Sequence, residues 1–325
     1  GMSEAEVKPT AQRRSLRAKP FSRSDRIFYK TATAAANSSI VLVTLILVFL
    51  AWRSWPAFES QGIAYIFGST WDNNPEKMVM QIGPMLWGSI QISLLGVILA
   101  VPMAISIAYF IVFMANKKFA SGVTILVDLL AALPSVVLGL WGLLVFSPIA
   151  AGWAKLLHDT LGFLPFFANQ DGNFLRSPFI AGWVVAVMIV PIIASVTREI
   201  FSQLDRELIN ASLALGAGRW STFRRVILPT SSGGIVGGVL LGLGRALGET
   251  VAIFFVLNLV FEVNWWNVLE AKGGSVASMI LAKFGEAGPA EVSGLMAAGV
   301  VLFVVTLLVN SLASYIVAKA QPWRK

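Results

Sequence analysis

Arg245 and Glu249 stand four residues apart within Gly233–Val260, a stretch that carries no other charged side chain and is long enough to cross a bilayer. With a helical rise of about 1.5 Å per residue, Arg245 lies about 18 Å from Gly233, well inside a hydrocarbon layer about 30 Å thick. A charge at that depth costs about 3 kcal/mol on insertion scales, so it must face protein or water. The guanidinium is planar, permanently charged and shaped to fork onto two oxygens, which makes it an oxyanion receptor. Glu249 at i+4 would hold it, lower its cost of insertion and keep anion binding loose, as conduction requires. Two readings follow: Arg245 touches a passing anion, or the pair is buried only to fix helix register. Whether Glu249 is protonated on burial stays open at this level. Ser89 and Ser93, Ser135 after Pro134, and Thr250 next to Glu249 are further pathway candidates, against the alternative that each hydroxyl bonds its own or a neighbouring helix.

The elements that must position these groups follow from hydropathy. At 100° per residue, Gly234, Gly238, Gly242, Gly248 and Ala252 fall near Arg245, while Val236, Leu240, Leu243, Leu247, Val251 and Phe254 take the other side. The small-residue stripe predicts that the charged face turns toward another helix. The chain has 325 residues, of which 56% are hydrophobic and 13% charged, with a mean hydropathy of +0.75, the values of a polytopic membrane protein. Six apolar segments are expected, near Thr33–Trp52, Gly83–Ala115, Val123–Phe146, Phe179–Val196, Gly233–Val260 and Val292–Val317. The first has the basic flank of a signal sequence, yet it is too long and lacks a small-residue cleavage site, so it is read as a retained span. Asp128 is expected at the interface near the end of the third span, and His158 in a surface loop. Pro102, Pro134 and Pro191 are expected to kink their helices.

Charge distribution sets topology. Basic residues crowd the arm from Lys8 to Lys30, Lys117 and Lys118, the loop 197–232 and the tail after Ala318, which places both termini on the cytoplasmic side. The net charge of +8 is thereby explained without nucleic acid, and the arm can add attraction to anionic membrane lipid. Cysteine is absent and histidine occurs once, which excludes disulfides, thiolate chemistry and histidine-rich metal centres. No phosphate-binding G-x-x-x-x-G-K-[ST] occurs, so this chain cannot grip nucleotide phosphates as a P-loop would. Gly242-x-Gly244 fails the dinucleotide fingerprint, having no preceding strand and no third glycine.

The loop 197–232 is patterned. Arg206–Leu215 and Arg219–Leu228 read as two short amphipathic helices joined by Gly216-Ala217-Gly218, with Pro229 stopping the second. By periodicity alone it is either a docking hairpin or a plain interfacial one. Asn210-Ala211-Ser212, Gly216 after three residues and Val226-Ile227-Leu228-Pro229 after nine more resemble the coupling motif of bacterial ABC importer permeases, EAA-x3-G-x9-I-x-L-P, with Asn210 in place of the glutamate and Ser212 in place of the second alanine. Pro134-Ser135-Val136-Val137-Leu138-Gly139-Leu140-Trp141-Gly142, Arg245-Ala246-Leu247-Gly248-Glu249-Thr250 and Pro191 extend the likeness to permease subunits of the high-affinity phosphate importer, from about Met80 onward.

That resemblance implies an all-α, type I ABC importer permease fold with about six transmembrane helices. Charge and hydropathy set a basic arm 1–32, a first helix 33–52 and a tail 319–325 around the permease domain 80–318 that the resemblance implies. It implies a bacterial plasma-membrane location and partnership with a homologous second permease, a dimer of P-loop ATPases carrying ATP and Mg, and an extracytoplasmic phosphate-binding protein. Asn210, Ala211, Ser212, Leu215, Gly216, Ala217, Gly218 and Arg219 would dock on the ATPase, and the chain itself would hold no cofactor and perform no catalysis. The competing readings are a permease for sulfate or molybdate and a self-powered anion carrier. Carriers tend to show an internal repeat and several buried ionisable groups, and here neither is evident.

Overall fold

In hydrocarbon every backbone N–H and C=O must be satisfied within the chain, and the apolar segments meet that demand as helices. The computed structural model describes Pro20 and residues 22–319, and the basic residues from Lys8 to Lys19 lie outside them. Among the described residues, six helical runs are long and apolar enough to cross a membrane. The protein is a multi-pass membrane protein.

The chain divides into two units, one ending at Phe49 and one beginning at Leu50. The first holds most of helix α1 (Arg23–Gln61), whose residues from Ile40 to Val48 present large apolar side chains outward. In the second unit α1 ends, and α2 (Ala64–Phe67) and a two-stranded antiparallel ribbon follow, β1 (Trp71–Asp72) on β2 (Val79–Met80) with Trp71 opposite Met80. Helix α3 (Gly83–Tyr109) closes in a π turn over Phe110–Met114. Then come α4 (Lys117–Ala132), α5 (Ser135–Trp141), α6 (Ser147–Leu161) and α7 (Pro178–Ser202). The remainder is α8 (Arg206–Ala214), α9 (Arg219–Thr222), α10 (Leu228–Leu247), α11 (Val251–Val256), α12 (Val276–Phe284) and α13 (Pro289–Lys319).

Helix α7 is the most buried of the spans and forms the axis of the core. Gly96 and Gly182 let α3 and α7 close on each other, each facing an aliphatic side chain of the other helix, Val185 and Leu95. On α10, Gly234, Gly238 and Gly242 receive Ile200, Val196 and Ile193 of α7, while Gly237 and Gly244 face Val317 and Asn310 of α13. The glycine stripe thus packs helix on helix as expected, and within this chain.

The ends of α3, α7 and α13 that come first in sequence share one end of the bundle with segment 257–275. Phe179 N–H donates to Val268 O (2.9 Å), and the Tyr65 hydroxyl donates to Gly294 O (2.6 Å). Burial pushes the Tyr65 phenol above its usual range, so it stays a donor at any physiological pH. Trp71 Nε1–H donates to buried Glu291 (3.0 Å), tying the ribbon to α13.

Several expectations are corrected. The third span does not run over Val123–Phe146: α4 ends at Ala132, Leu133 and Pro134 are extended, and a new helix starts at Ser135 and continues through a π turn over Gly142–Phe146 to Leu161. Proline forces its predecessor out of the helical region and offers no donor, so one hydropathy peak covers two helices. Asp128 consequently lies exposed on α4. His158 lies in the last turn of α6 and not in a loop, with Nδ1 2.8 Å from Phe167 O.

Second, Pro229 does not stop a helix. Arg219 to Leu247 is one helical run, because the π turn over Phe223–Ile227 shifts the register and Leu228 N–H bonds Phe223 O, which places Pro229 in the first turn of α10. Third, Gly233–Val260 is not one helix: α10 ends at Leu247, Gly248–Thr250 interrupt it, and only the six residues of α11 follow.

Candidate functional site

Two interruptions meet. Pro134 delivers the chain to the N-terminus of α5, and Gly248–Thr250 deliver it to that of α11. Gly139 allows the close approach, since a Cβ there would stand 3.0 Å from the Cα of Ala252 and 2.9 Å from the Phe255 ring. A Cβ on Gly142 would likewise press on Val184 and Val256. The Pro-Ser-x-x-x-Gly-x-x-Gly spacing is therefore a start signal followed by a contact face for α11. Glu249, only 6% exposed, sits between the two helix starts. Its Oε2 accepts from Ser135 Oγ (3.4 Å) and its Oε1 from Ala252 N–H (3.3 Å), a carboxylate satisfying donors that a helix start leaves free.

Arg245 does not pair with Glu249, which corrects the buried charge pair expected from their i+4 spacing. Among the described residues the ion pair within 4 Å is Lys272–Glu270. An i+4 contact needs an unbroken helix, and the turn at Gly248, with Glu249 N–H bonding Ala246 O, swings Glu249 away toward Ser135. Arg245 is exposed, in line with exposed Leu241 and Gly248, so although Gly234, Gly238 and Gly242 of the stripe pack on α7, the expected turning of the charged face itself toward another helix is not met among the described residues. Its depth follows from the antiparallel register. Gly234, Gly238 and Gly242 face Ile200, Val196 and Ile193 in turn, so Arg245, about one turn further, stands level with the middle of α7. The guanidinium is thus at mid-depth, unpaired among the described residues, and open to whatever lies beside this face.

Thr250 and Gly248 line a cavity of about 620 Å³ closed by Ala277, Ile280, Leu281 and Phe284 of α12, and Thr250 Oγ donates to Gly248 O (3.1 Å). Across α11 lies a second cavity of about 350 Å³, whose lining includes Arg176, Asn258 and Ser278. No spacing in the sequence singles out Arg176 or Asn258. Ser135, Glu249 and Thr250 are brought together; Ser89 and Ser93 lie apart, buried in α3. The Ser89 hydroxyl donates to Met85 O and accepts Val276 N–H (2.8 Å), joining α3 to the start of α12, and Ser93 Oγ has no hydrogen-bond partner among the described residues.

The hairpin 205–222 is built as its pattern predicts up to the second helix. Asp205 accepts Glu207 N–H (2.9 Å) at the start of α8, Gly216 adopts φ +90°, and Ser212 Oγ lies 2.9 Å from Thr222 Oγ, tying the two limbs. Asn210, Ala211, Leu215, Gly216, Gly218 and Arg219 are exposed, with Ser212 and Ala217 half-buried. Leu215 is 88% and Trp220 69% exposed, an apolar tip left uncovered among the described residues. Gly216→Val is expected to destabilise this turn by about 1–2 kcal/mol through its left-handed backbone alone, since no atom lies within 4 Å of the added Cβ. Limited proteolysis of the purified chain at 213–218 checks it, with faster cleavage expected in the variant.

Comparison with known proteins agrees with this architecture. Residues 92–321 match the family described as binding-protein-dependent transport system inner membrane component. Phosphate transport system permease protein PstC 2 of Mycobacterium bovis is 35% identical over 301 residues, covering 91% of this chain and 92% of that protein. PstC of Haemophilus influenzae is 36% identical over 302 residues, covering 91% and 94%. A crystal structure of a bacterial alginate ABC transporter contains a chain that superimposes with a TM-score of 0.60 at 15% identity, over 92% of this chain and 96% of that one. A chain of the MetNI methionine ABC transporter gives 0.50 at 17%, over 73% and 94%. The fold is that of a type I ABC importer permease, and the chain belongs to the family of binding-protein-dependent transport system inner membrane components, among the PstC permeases.

Proposed function

We propose that this chain is one of two permease subunits of an ATP-driven importer that carries inorganic phosphate across the bacterial plasma membrane. The observation that carries the reading is the likeness to phosphate transport system permeases over nine-tenths of both lengths. The arrangement around α10 supports it. Phosphate is strongly hydrated, so its path must offer donors in place of water, and Arg245 offers a fork of them at mid-depth on an open face. That face is where a homologous permease completes the path.

Both termini and the hairpin 205–222 lie on the cytoplasmic side in this reading, as the basic residues of 197–232 favour. The exposed Leu215 and Trp220 would enter a cleft on a P-loop ATPase, which binds the ATP and Mg. An extracytoplasmic phosphate-binding protein delivers the anion at the opposite end. From Arg219 to Leu247 the chain is one helical run about 43 Å long, so a displacement of the hairpin reaches Arg245 without a hinge. The helix ends just beyond Arg245, and Glu249, already satisfied by Ser135 and the start of α11, leaves the guanidinium free for the anion. Asn210 lacks the charge of the usual glutamate, so docking here relies on shape and apolar contact.

Reconstitution in liposomes tests the assignment. The chain with its partner permease, ATPases and binding protein is expected to accumulate phosphate only with ATP. Accumulation by the chain alone would identify a secondary carrier, and uptake inhibited by sulfate or molybdate but not by phosphate would reassign the anion.

A further inference from the structure

We propose that Arg176 forms an outer anion site at the extracytoplasmic mouth, which receives phosphate before it reaches Arg245; this rests on the phosphate-importer reading. Arg176 lines the 350 Å³ cavity with Asn258 and Ser278, against an otherwise apolar wall that includes Leu143 and Phe254. A concave apolar wall with a few converging polar groups is the usual form of a small-ligand site.

Three further observations converge on Arg176. Its φ of +56° makes it the one non-glycine residue in the left-handed region among the described residues, where glycine is the unstrained choice. The conformation is held from outside, since Asn258 N–H donates to Arg176 O (3.2 Å) and buried Ser177 starts α7 immediately after. Strain held in this way occurs preferentially at ligand sites.

The charge is also uncommitted. Lys272, in the neighbouring segment, is 3.3 Å from Glu270, whereas Arg176 has no carboxylate within 4 Å among the described residues. The Asn258 amide donates to Ala271 O (3.1 Å), which fixes the orientation of that side chain at the cavity wall. Finally, the cavity lies along α11. Ile253, Phe254, Phe255 and Leu257 line it, and the same short helix begins at Val251, directly after the break that follows Arg245. Arg176 is tied to Asn258, just past the far end of this six-residue helix of about 9 Å, while the break that follows Arg245 precedes its start. Conduction through successive sites, each loose enough to release, requires such spacing and no single deep well.

The test uses the complete importer in proteoliposomes, with binding protein titrated to saturation and phosphate as the probe. Arg176→Gly suits the backbone and removes the cation, while Arg176→Lys keeps the cation. The expected result is a maximal uptake rate about tenfold lower for R176G, the effect of one lost charge-assisted contact, with substantial recovery in R176K and no lowering of thermal stability in R176G. Uptake by R176G equal to wild type overturns the site. A defect that disappears as binding protein is raised also overturns it, because Arg176 would then be a contact for that protein and not for the anion. If the wild-type complex accumulates no phosphate, the importer reading itself has failed and the outer site fails with it.

Discussion

Arg245→Ala is expected to lower phosphate uptake at least about a hundredfold while the complex still assembles. The size follows from losing two charge-assisted hydrogen bonds, each about 1.5 kcal/mol net, and the low effective dielectric of a membrane path enlarges it. The expectation that assembly survives follows from position. Arg245 is exposed and unpaired among the described residues, so truncating it opens no cavity and strands no buried carboxylate. Had it been locked to Glu249, the same substitution would have left an uncompensated acid, and loss of folding would have been indistinguishable from loss of transport. Arg245→Lys should give intermediate uptake, since the cation persists but the planar fork does not. Co-purification of the partner subunits together with uptake in vesicles checks both points. Failure of the Ala variant to assemble would instead assign Arg245 to the contact with the second permease.

Gly88→Ala is expected to be the most damaging single methyl group in the fold, destabilising the chain by about 3 kcal/mol. A Cβ at Gly88 would fall on the carbonyl oxygen of Gly274, a backbone atom that no rotamer change can move aside. Gly274 is itself pinned, because Met85 Sδ lies 2.6 Å from where its own Cβ would be. The adjacent Ser89 hydroxyl accepts Val276 N–H at the start of α12, and the buried cap Ser275 exchanges hydrogen bonds with Ser278. The added methyl would lift residues 273–276 from α3, uncap α12 and loosen the wall of the cavity beside Thr250. Thermal unfolding in detergent measures the loss. Gly285→Ala is the control, with no atom within 4 Å of the added Cβ and a backbone any residue tolerates; no comparable loss is expected there.

Much of this was legible along the chain because it is local. Six spans follow from runs of apolar residues, and the mid-depth position of Arg245 follows from counting along one of them. The contact face of α10 follows from glycines at 234, 238 and 242, which recur at the helical period. The hairpin with its turn at Gly216 follows from two amphipathic runs and the glycines between them. The spacing from Asn210 to Pro229 carried the family assignment, since a motif is by nature a local record.

Tertiary structure alone decided the rest. Hydropathy cannot distinguish one helix from two separated by an extended Leu133–Pro134, because lipophilicity is summed without regard to backbone direction. Nor does it show that Pro229 is absorbed by a π turn, or that the helix breaks at Gly248. The partner of Glu249 is Ser135, 114 residues away, and Arg176 reaches its cavity only because Asn258 folds back onto it. An i+4 spacing specifies a contact only while the helix that defines it persists. The sequence by itself determined that a cation sits in the middle of an apolar run; the packing of α5 against α11 decided that it stands alone among the described residues, since it ended the helix and gave its carboxylate to another.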